Sequence, residues 1–305
     1  MTMEATIVIA TRDRAQLLRG CLAALRAQSA AGRFEIIVVD NGSSDATAAT
    51  VDEFGARRIF VAAPNRAKAR NAGIALAAAP IVIFCDDDTV APPSFVEAHL
   101  RAHAARPNRV VTGPIINVSD PADQPRPRAQ HFSRAFFCTC NVSAPIAAVR
   151  AVAGFDERYD LYGWEDMDLG LRLRARGLRR SWSWDAYIYH IKPAAATTLE
   201  RRVAQAREKG RMAARFVRKA PSWPVRLATG AYAVNFARAA LVNARPLRAV
   251  YERVAKNSRL RDSPLAAWAQ NRVADAAYVV ELRAGLREPA TPESQALAAG
   301  RALEQ

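Results

Sequence analysis

Short apolar runs punctuate the first third of the chain: TIVIA (residues 6–10), EIIVVD (35–40), the more mixed RRIFVA (57–62) and IVIFCD (81–86). Between them, apolar residues recur at helical spacing. TRDRAQLLRGCLAALRAQ places Leu17, Leu18, Cys21, Leu22 and Leu25 on one face, and AKARNAGIALAAA is an alanine-rich helix closed by Pro80. The NGSSD cluster after the second run reads as a turn that caps the next helix through Ser44 or Asp45. Nearly continuous apolar strands alternating with helices predict an α/β fold, with a mostly parallel, Rossmann-like sheet flanked by helices on both faces.

Past residue 90 the rhythm loosens. Pro92 and Pro93 open a helix to about residue 105, VVTGPI reads as a strand, and SDPADQPRPRAQ (119–130) as a polar, proline-rich, mobile loop. FSRAFFCTCNVSA is expected as one strand, WEDMDLGLRLRARG as an amphipathic helix stopped by Gly177, and RSWSWDAYIYHI as the last strand. The character then changes to basic helices, which predicts one domain over residues 1–195 and a basic α-helical region over 196–305. No internal repeat is visible.

Lys and Arg number 44 against 29 Asp and Glu, a formal net charge of +15. Such a surface attracts anions: nucleic acid, acidic lipid headgroups or phosphorylated substrates. Nucleic acid is the least supported, because no zinc finger or aromatic-basic module is present. The N-terminus lacks the basic segment of a signal peptide, and LATGAYAVNFARAALVN (227–243), the most apolar stretch, contains Asn235 and Arg238. The expected location is cytoplasmic, soluble or peripheral on the inner face of the membrane. Cys21 and Cys85 fall at core positions. Cys138 and Cys140 form a C-x-C that a metal pair would use, but no second Cys or His pair lies at zinc-ligand spacing, and core packing in a reducing compartment is the preferred reading.

Against this positive balance, IVIFCDDDTV runs an apolar strand into three adjacent carboxylates, Asp86, Asp87 and Asp88. In an open parallel sheet, ligands gather at the carboxyl ends of strands. The same rim receives Thr11, Arg12 and Asp13 from the first strand, and Asp40 and Asn41 from the second. A carboxylate after the second strand suits a ribose hydroxyl or a base N–H. A triple carboxylate suits a hard divalent cation that also grips phosphate oxygens and relieves the carboxylates' mutual repulsion. The residues alone therefore point to a nucleoside diphosphate with Mn²⁺ or Mg²⁺.

TIVIATRDR, EIIVVDNGSSDAT, NRAKARNAG, IVIFCDDDT and GFDERYDLYGWEDMDLGLRL, in this order and spacing, resemble the family 2 glycosyltransferases of GT-A fold. The resemblance covers about residues 5–192. It implies that Asp40 binds the donor nucleobase, that Thr11, Arg12, Asp13 and Asn41 lie in donor-contacting loops, and that Arg70 lies near the base or diphosphate. Asp86, Asp87 and Asp88 would form the D-x-D region, with Asp88, Asp86 and His190 as metal ligands. Glu165 and Asp166 would be catalytic, Asp166 as the base on the acceptor hydroxyl, and Trp164 would stack on a sugar. Asn141 falls where relatives have a polar residue facing the acceptor, but TCNVSA departs from the usual small-residue pattern. One carboxylate base without a nucleophilic partner implies inversion. The acceptor would be a glycan or lipid-linked sugar, plausibly of the bacterial cell envelope.

Plain structural readings stand beside these. The aspartates are also a solvated turn, Glu165 and Asp166 an acidic first helical turn favoured by the dipole, Arg70 a surface charge, and Trp164 and His190 core residues. Two rival functions stay open: a nucleotidyltransferase, although TRDRAQLL lacks a glycine-rich, lysine-containing phosphate loop, and a non-catalytic basic module binding membrane or nucleic acid.

Overall fold

The computed structural model describes residues 2–62, 64–192, 198–260 and 263–288. The chain runs β1 (Ala5–Thr11), α1 (Ala15–Arg26), β2 (Phe34–Asp40), α2 (Thr47–Glu53), β3 (Arg57–Phe60), α3 (Arg66–Leu76), β4 (Ile81–Cys85), β5 (Thr89–Val90), α4 (Phe95–Ala105), β6 (Arg109–Thr112), β7 (Ile115–Val118), β8 (Asn141–Pro145), α5 (Ile146–Ala151), α6 (Glu165–Ala175), β9 (Arg179–Trp182) and β10 (Ile188–Ile191). These elements make one compact unit, residues up to 160 with 165–192.

The apolar runs form the edge strand β3 and its neighbours β2, β1 and β4 in a seven-stranded sheet of order β3-β2-β1-β4-β8-β6-β9, in which only β8 runs against the rest. Alternation along β1 splits the core. Val8 packs with Ile37, Val39 and Phe84 under α3 and α6, while Ile7 and Ile9 pack with Val38 and Ile83 under α1 and α4. Fully burying each such large side chain stabilises by roughly 1.5–3 kcal/mol. The α3 helix lies so close to β1 that a Cβ on Gly73 would sit 2.5 Å from Val8 Cγ1, which explains the glycine of ARNAG in packing terms. The register Thr11↔Asp40 brings the carboxyl ends of β1 and β2 level.

A second sheet, β5-β10-β7, stands at that end, built from segments expected to extend the main sheet. VVTGPI is not one strand. At Gly113 an added Cβ would fall 1.8 Å from the Ala186 carbonyl oxygen, and at this Gly-Pro step the chain leaves β6 for β7 in the other sheet. RSWSWDAYIYHI likewise breaks into β9 and β10, one in each sheet. FSRAFFCTCNVSA gives a strand only from Asn141, so the alternation expected for Cys138 and Cys140 does not hold and both lie in the turn before β8. Helix α2 starts at Thr47 after an uncapped Ala46. Asp45 instead bonds Thr47 N and Oγ1 beside the helix start, and Ser44 bonds Asp13. All four cysteines are free thiols, with Cys21, Cys85 and Cys140 buried.

A second unit comprises residues 161–164 and 198–288. It contains α7 (Leu199–Lys219), α8 (Trp223–Thr229), α9 (Ala233–Val242), α10 (Arg245–Lys256) and α11 (Pro264–Arg287). Helices α7 and α11 pack along most of their length, through small residues at Gly210, Ala214 and Gly285 and an Arg211–Glu281 ion pair at 2.8 Å. Among the described residues no helix is long and apolar enough to cross a membrane.

Candidate active site

The loops after β1 and β2 are sewn together. Asp13, at φ 50°, accepts hydrogen bonds from Ser44 N at 2.7 Å and Ser44 Oγ at 3.1 Å, and its own N–H donates to Ser43 Oγ at 3.0 Å. The Ser44 bonds hold its carboxyl below the ordinary range. Asp45 Oδ2 accepts from Ala15 N at 2.9 Å. Arg12 is exposed and pairs with Asp13 at 3.5 Å. Asp40, 2% exposed, accepts Ser43 N at 2.9 Å and Arg58 Nη1 at 3.0 Å, while Asn41 Oδ1 accepts Asn65 N at 3.1 Å. Each Asp40 oxygen retains a lone pair for a further donor.

The three aspartates that follow β4 sit in three environments. Asp87 is buried, bonded by Thr11 Oγ1 at 2.7 Å and Arg14 Nη1 at 3.0 Å. Burial nevertheless lifts its pKa above the ordinary value, with the Asp88 charge adding to it. It braces the first loop. For Asp88, burial also pushes upward, but His190, Arg14 and Lys192 outweigh it and the pKa falls below the usual value. Arg14 Nη1 reaches Asp88 Oδ2 at 3.0 Å. Asp86 keeps its side chain 33% exposed, with Arg70 Nη2 at 3.5 Å.

Arg70 is buried and bridges two acidic groups: beyond Asp86, its Nη1 donates to Glu165 Oε1 at 2.9 Å, and its guanidinium lies over the Phe155 ring. Glu165 Oε2 is buried with no hydrogen-bond partner. Asp166 follows at the start of α6. Burial first, then the Glu165 charge, raises its pKa to about 6, against the pull of Arg70. Its Oδ1 accepts Met167 N at 2.7 Å, and Oδ2 takes no hydrogen bond among the described residues. The helix begins one residue later than expected because Trp164 stands at φ 76°, in the left-handed region. Its indole is buried among residues of the helical unit: Nε1 donates to the Lys209 carbonyl at 3.0 Å and the ring packs on Phe216.

The small sheet brings His190 to Asp88 across about a hundred residues of sequence. His190 pairs in register with Thr89 on one side and Asn117 on the other, and Ile191 N donates to Asp88 O at 2.8 Å. Asn117 Oδ1 accepts from His190 Nδ1 at 3.1 Å, so this nitrogen carries the proton. The other nitrogen, Nε2, lies 3.1 Å from Asp88 Oδ1, a buried oxygen that takes no other hydrogen bond among the described residues: an imidazolium donates to it, whereas a neutral ring turns a lone pair toward it. Two lone pairs at this separation require a positive charge between them, a proton or a cation. Asp86, His190 and Cys140 also offer three ligand atoms within 4.8 Å of one another. The donor set therefore fits a divalent cation.

Asn141 is committed to the fold. It accepts from His99 Nε2 at 3.1 Å and donates to the carbonyls of Pro114 at 3.1 Å and Ala186 at 2.8 Å. Ser143 Oγ sits 2.8 Å from both His99 Nδ1 and His103 Nε2. Burial pushes the two histidines down to about 3 and about 4.

The structure thus gathers Thr11, Asp87, Asp88 and His190 into one bonded group and Arg70, Asp86 and Glu165 into a second, with Asp86 and His190 close to each other and Asp166 next to Glu165, and ties Arg12, Asp13, Asp40 and Asn41 to the neighbouring loops. Sequence reading missed Arg14, Arg58 and Asn117, and set the metal reading of Cys140 in the C-x-C below core packing. Arg14 had a signal too, lying in the same TRDR loop as Arg12 and Asp13.

Residues 6–154 match the family model "Glycosyl transferase family 2". A validoxylamine A glucosyltransferase of Streptomyces hygroscopicus subsp. jinggangensis is 32% identical over 231 residues, covering 59% of this chain and 55% of that protein. The chain thus spans about half the length of the curated relatives it matches. Two solved structures share its fold. A mannosyltransferase of Pyrobaculum calidifontis in complex with GDP-Man and Mn²⁺ gives a TM-score of 0.60 at 19% identity, over 93% of this chain and 88% of that one. S. aureus TarS 1–349 in complex with UDP-GlcNAc gives 0.57 at 17% identity, over 92% and 90%. The fold is that of the GT-A glycosyltransferases.

Proposed function

We propose that this chain, a family 2 glycosyltransferase over residues 6–154, moves a hexose from a nucleoside-diphosphate donor to a hydroxyl acceptor with inversion. One observation carries the reading: buried Arg70 links Asp86, at the cation-type cluster, to Glu165, beside the half-buried carboxylate of Asp166. A basic group and a charge-binding group thus lie on either side of the Arg70 bridge, and displacement at a sugar carbon uses one of each. The nucleotide sugars named for the two structural neighbours, GDP-Man and UDP-GlcNAc, support the donor class.

In this reading Asp166 Oδ2 takes the acceptor hydroxyl proton as the acceptor oxygen bonds to the anomeric carbon and the bond to the diphosphate breaks. A pKa of about 6 leaves Asp166 ionised at neutral pH yet more basic than an ordinary aspartate, which favours transfer. Glu165, held by Arg70, keeps that guanidinium in place. Asp40 accepts from the donor base, and the braced loops of Thr11, Arg12, Asp13 and Asn41 shape that end of the site. Asp88, Asp86 and His190 would hold Mn²⁺ or Mg²⁺, and such a cation supplies positive charge to the diphosphate leaving group. No second carboxylate is placed as a nucleophile, which supports inversion.

For the acceptor we propose a glycan or lipid-linked sugar of the cell envelope, met at the cytoplasmic face of an anionic membrane. Residues 196–305 hold 20 Lys and Arg against 9 Asp and Glu. Helices α8 to α10 expose Trp223, Leu227, Val234, Leu241, Leu247 and Val250 among Arg226, Arg238, Arg245, Arg248 and Arg253. Each basic residue near such a surface adds about 1 kcal/mol.

Calorimetry with GDP, UDP and dTDP, with and without Mn²⁺, tests the core of the reading. Metal-dependent binding that Asp88→Asn abolishes is expected, and binding indifferent to metal or to this substitution would overturn it.

A further inference from the structure

The cation-type cluster contains a group that hard-metal chemistry does not need. Asp86 follows β4 and Cys140 precedes β8, and these strands are antiparallel partners through Cys85↔Asn141, so the two side chains flank the same end of the ladder. His190 arrives on β10, and one ligand atom from each of the three lies within 4.8 Å of the others. Carboxylate oxygen, imidazole nitrogen and sulfur together are a donor set for borderline and soft cations, whereas Mg²⁺ and Mn²⁺ are suited by oxygen ligands and gain little from sulfur. Cys140 is 6% exposed, and its Sγ takes no hydrogen bond among the described residues. Asp88, buried beside the cluster, sets its Oδ1 3.1 Å from His190 Nε2, with no other partner for that oxygen among the described residues.

We propose that Cys140 is a direct ligand of the cation site, which makes the site a carboxylate–imidazole–thiolate centre that selects Zn²⁺, Co²⁺ or Cd²⁺ over Mn²⁺ and Mg²⁺. The proposal rests on the cation reading above and adds a ligand and a selectivity to it. The thiol proton leaves to solvent as the sulfur–metal bond forms. Cys138 lies two residues away but outside the cluster, and serves as an internal control.

The test is a titration of the metal-free full chain with Cd²⁺, read by the near-ultraviolet thiolate-to-metal charge-transfer band, beside Mn²⁺ binding read by the loss of its free-ion electron paramagnetic resonance signal. The expected result is one equivalent of Cd²⁺ with the band, in competition with Mn²⁺. Cys140→Ser should lose the band and bind Cd²⁺ at least about tenfold more weakly, while its Mn²⁺ affinity changes by less than about threefold. Cys138→Ser should keep the band. Cd²⁺ that displaces Mn²⁺ without a band, or a band that survives Cys140→Ser, overturns the thiolate ligand and leaves the cation reading intact. Failure of Mn²⁺ and Cd²⁺ alike to bind overturns both. The competition in the unaltered protein needs no variant, and Cys140→Ala with a melting curve checks that a lost band is not lost structure.

Discussion

Replacing Glu165 with Gln removes the charge beside Asp166 while keeping the side chain's shape and its Oε1 bond to Arg70. The Asp166 pKa of about 6, against about 3.8 for an ordinary aspartate, corresponds to about 3 kcal/mol against the ionised form. Burial is the larger cause and Glu165 the second, so Glu165→Gln should lower the pKa but leave it raised by burial. If Asp166 is the base, kcat/KM falls tenfold per pH unit below about 6. Profiles at saturating Mn²⁺ should show this acid limb move down in Glu165→Gln. It should move up in Arg70→Met, because Arg70 works in the opposite direction. Stability supplies a second arm. A carboxyl whose folded pKa is raised costs stability above that pKa, and the cost disappears as pH falls through 6 to 3.8. Asp166→Asn should therefore be inactive yet more stable at pH 8, by up to about 3 kcal/mol, with the gain vanishing near pH 4. An unmoved limb in both charge variants, or near-normal kcat in Asp166→Asn, would refute the assignment.

Other expectations follow from the same geometry. His99 and His103 have folded pKa values depressed to about 3 and about 4, so the stability they confer is complete above 6.5 and is lost as pH falls below it. Between pH 7.5 and 5 the pair should cost up to about 4 kcal/mol, read as a falling urea midpoint, with a flatter slope in His103→Gln. A slope unchanged by that substitution would count against the buried network. Gly73→Ala drives a Cβ into Val8 and should lower stability by about 1–3 kcal/mol without changing donor specificity, as measured by melting and competition assays. Thr11→Val deletes the Asp87 bond and should cost about 1 kcal/mol while raising KM for the donor, since the first loop loses a brace. Asp88→Asn should reduce turnover by about a hundredfold or more, and added Mn²⁺ should not rescue it.

Strands β1, β2 and β4 were legible because their residues are largely buried on both faces, so apolar continuity marks them, whereas β3, an exposed edge strand, is the more mixed run. The β6–β7 and β9–β10 breaks were not. Gly113-Pro114 and the Ser183–Tyr187 segment look like ordinary interruptions within strand-like sequence, and only the approach of Gly113 to Ala186 shows why the chain changes sheets there. The site followed the same division. Asp40, Asp86 and Asp88 were visible because strand ends define a rim. Arg70 was visible as a charge, but its role as a bridge between Asp86 and Glu165 depends on residues 95 positions apart, which no local pattern encodes. Cys140 was taken for core because a strand was expected through residue 138, and the turn that replaces this strand is what aims its sulfur at Asp86 and His190.

The charge balance of the two bonded groups and Asp166 explains how a chain of net charge +15 builds an acidic pocket. Five carboxylates, Asp86, Asp87, Asp88, Glu165 and Asp166, share two guanidiniums. Arg14 is spent on Asp87 and Asp88, and Arg70 on Asp86 and Glu165. The set keeps a formal excess of about three negative charges, or two with an imidazolium at His190. Such a pocket repels a diphosphate, and at the partial burial seen here the repulsion is worth several kcal/mol. The protein's overall positive field draws the anion toward the surface but does not reverse the local sign, because charges beyond about 8–10 Å are screened. A divalent cation at Asp86, Asp88 and His190 would cut the excess from about three negative charges to about one and would set positive charge against the diphosphate itself. Donor affinity should therefore depend on metal far more steeply than on ionic strength. A donor that bound as tightly in chelator as in Mn²⁺ would mean that the carboxylates serve another ligand.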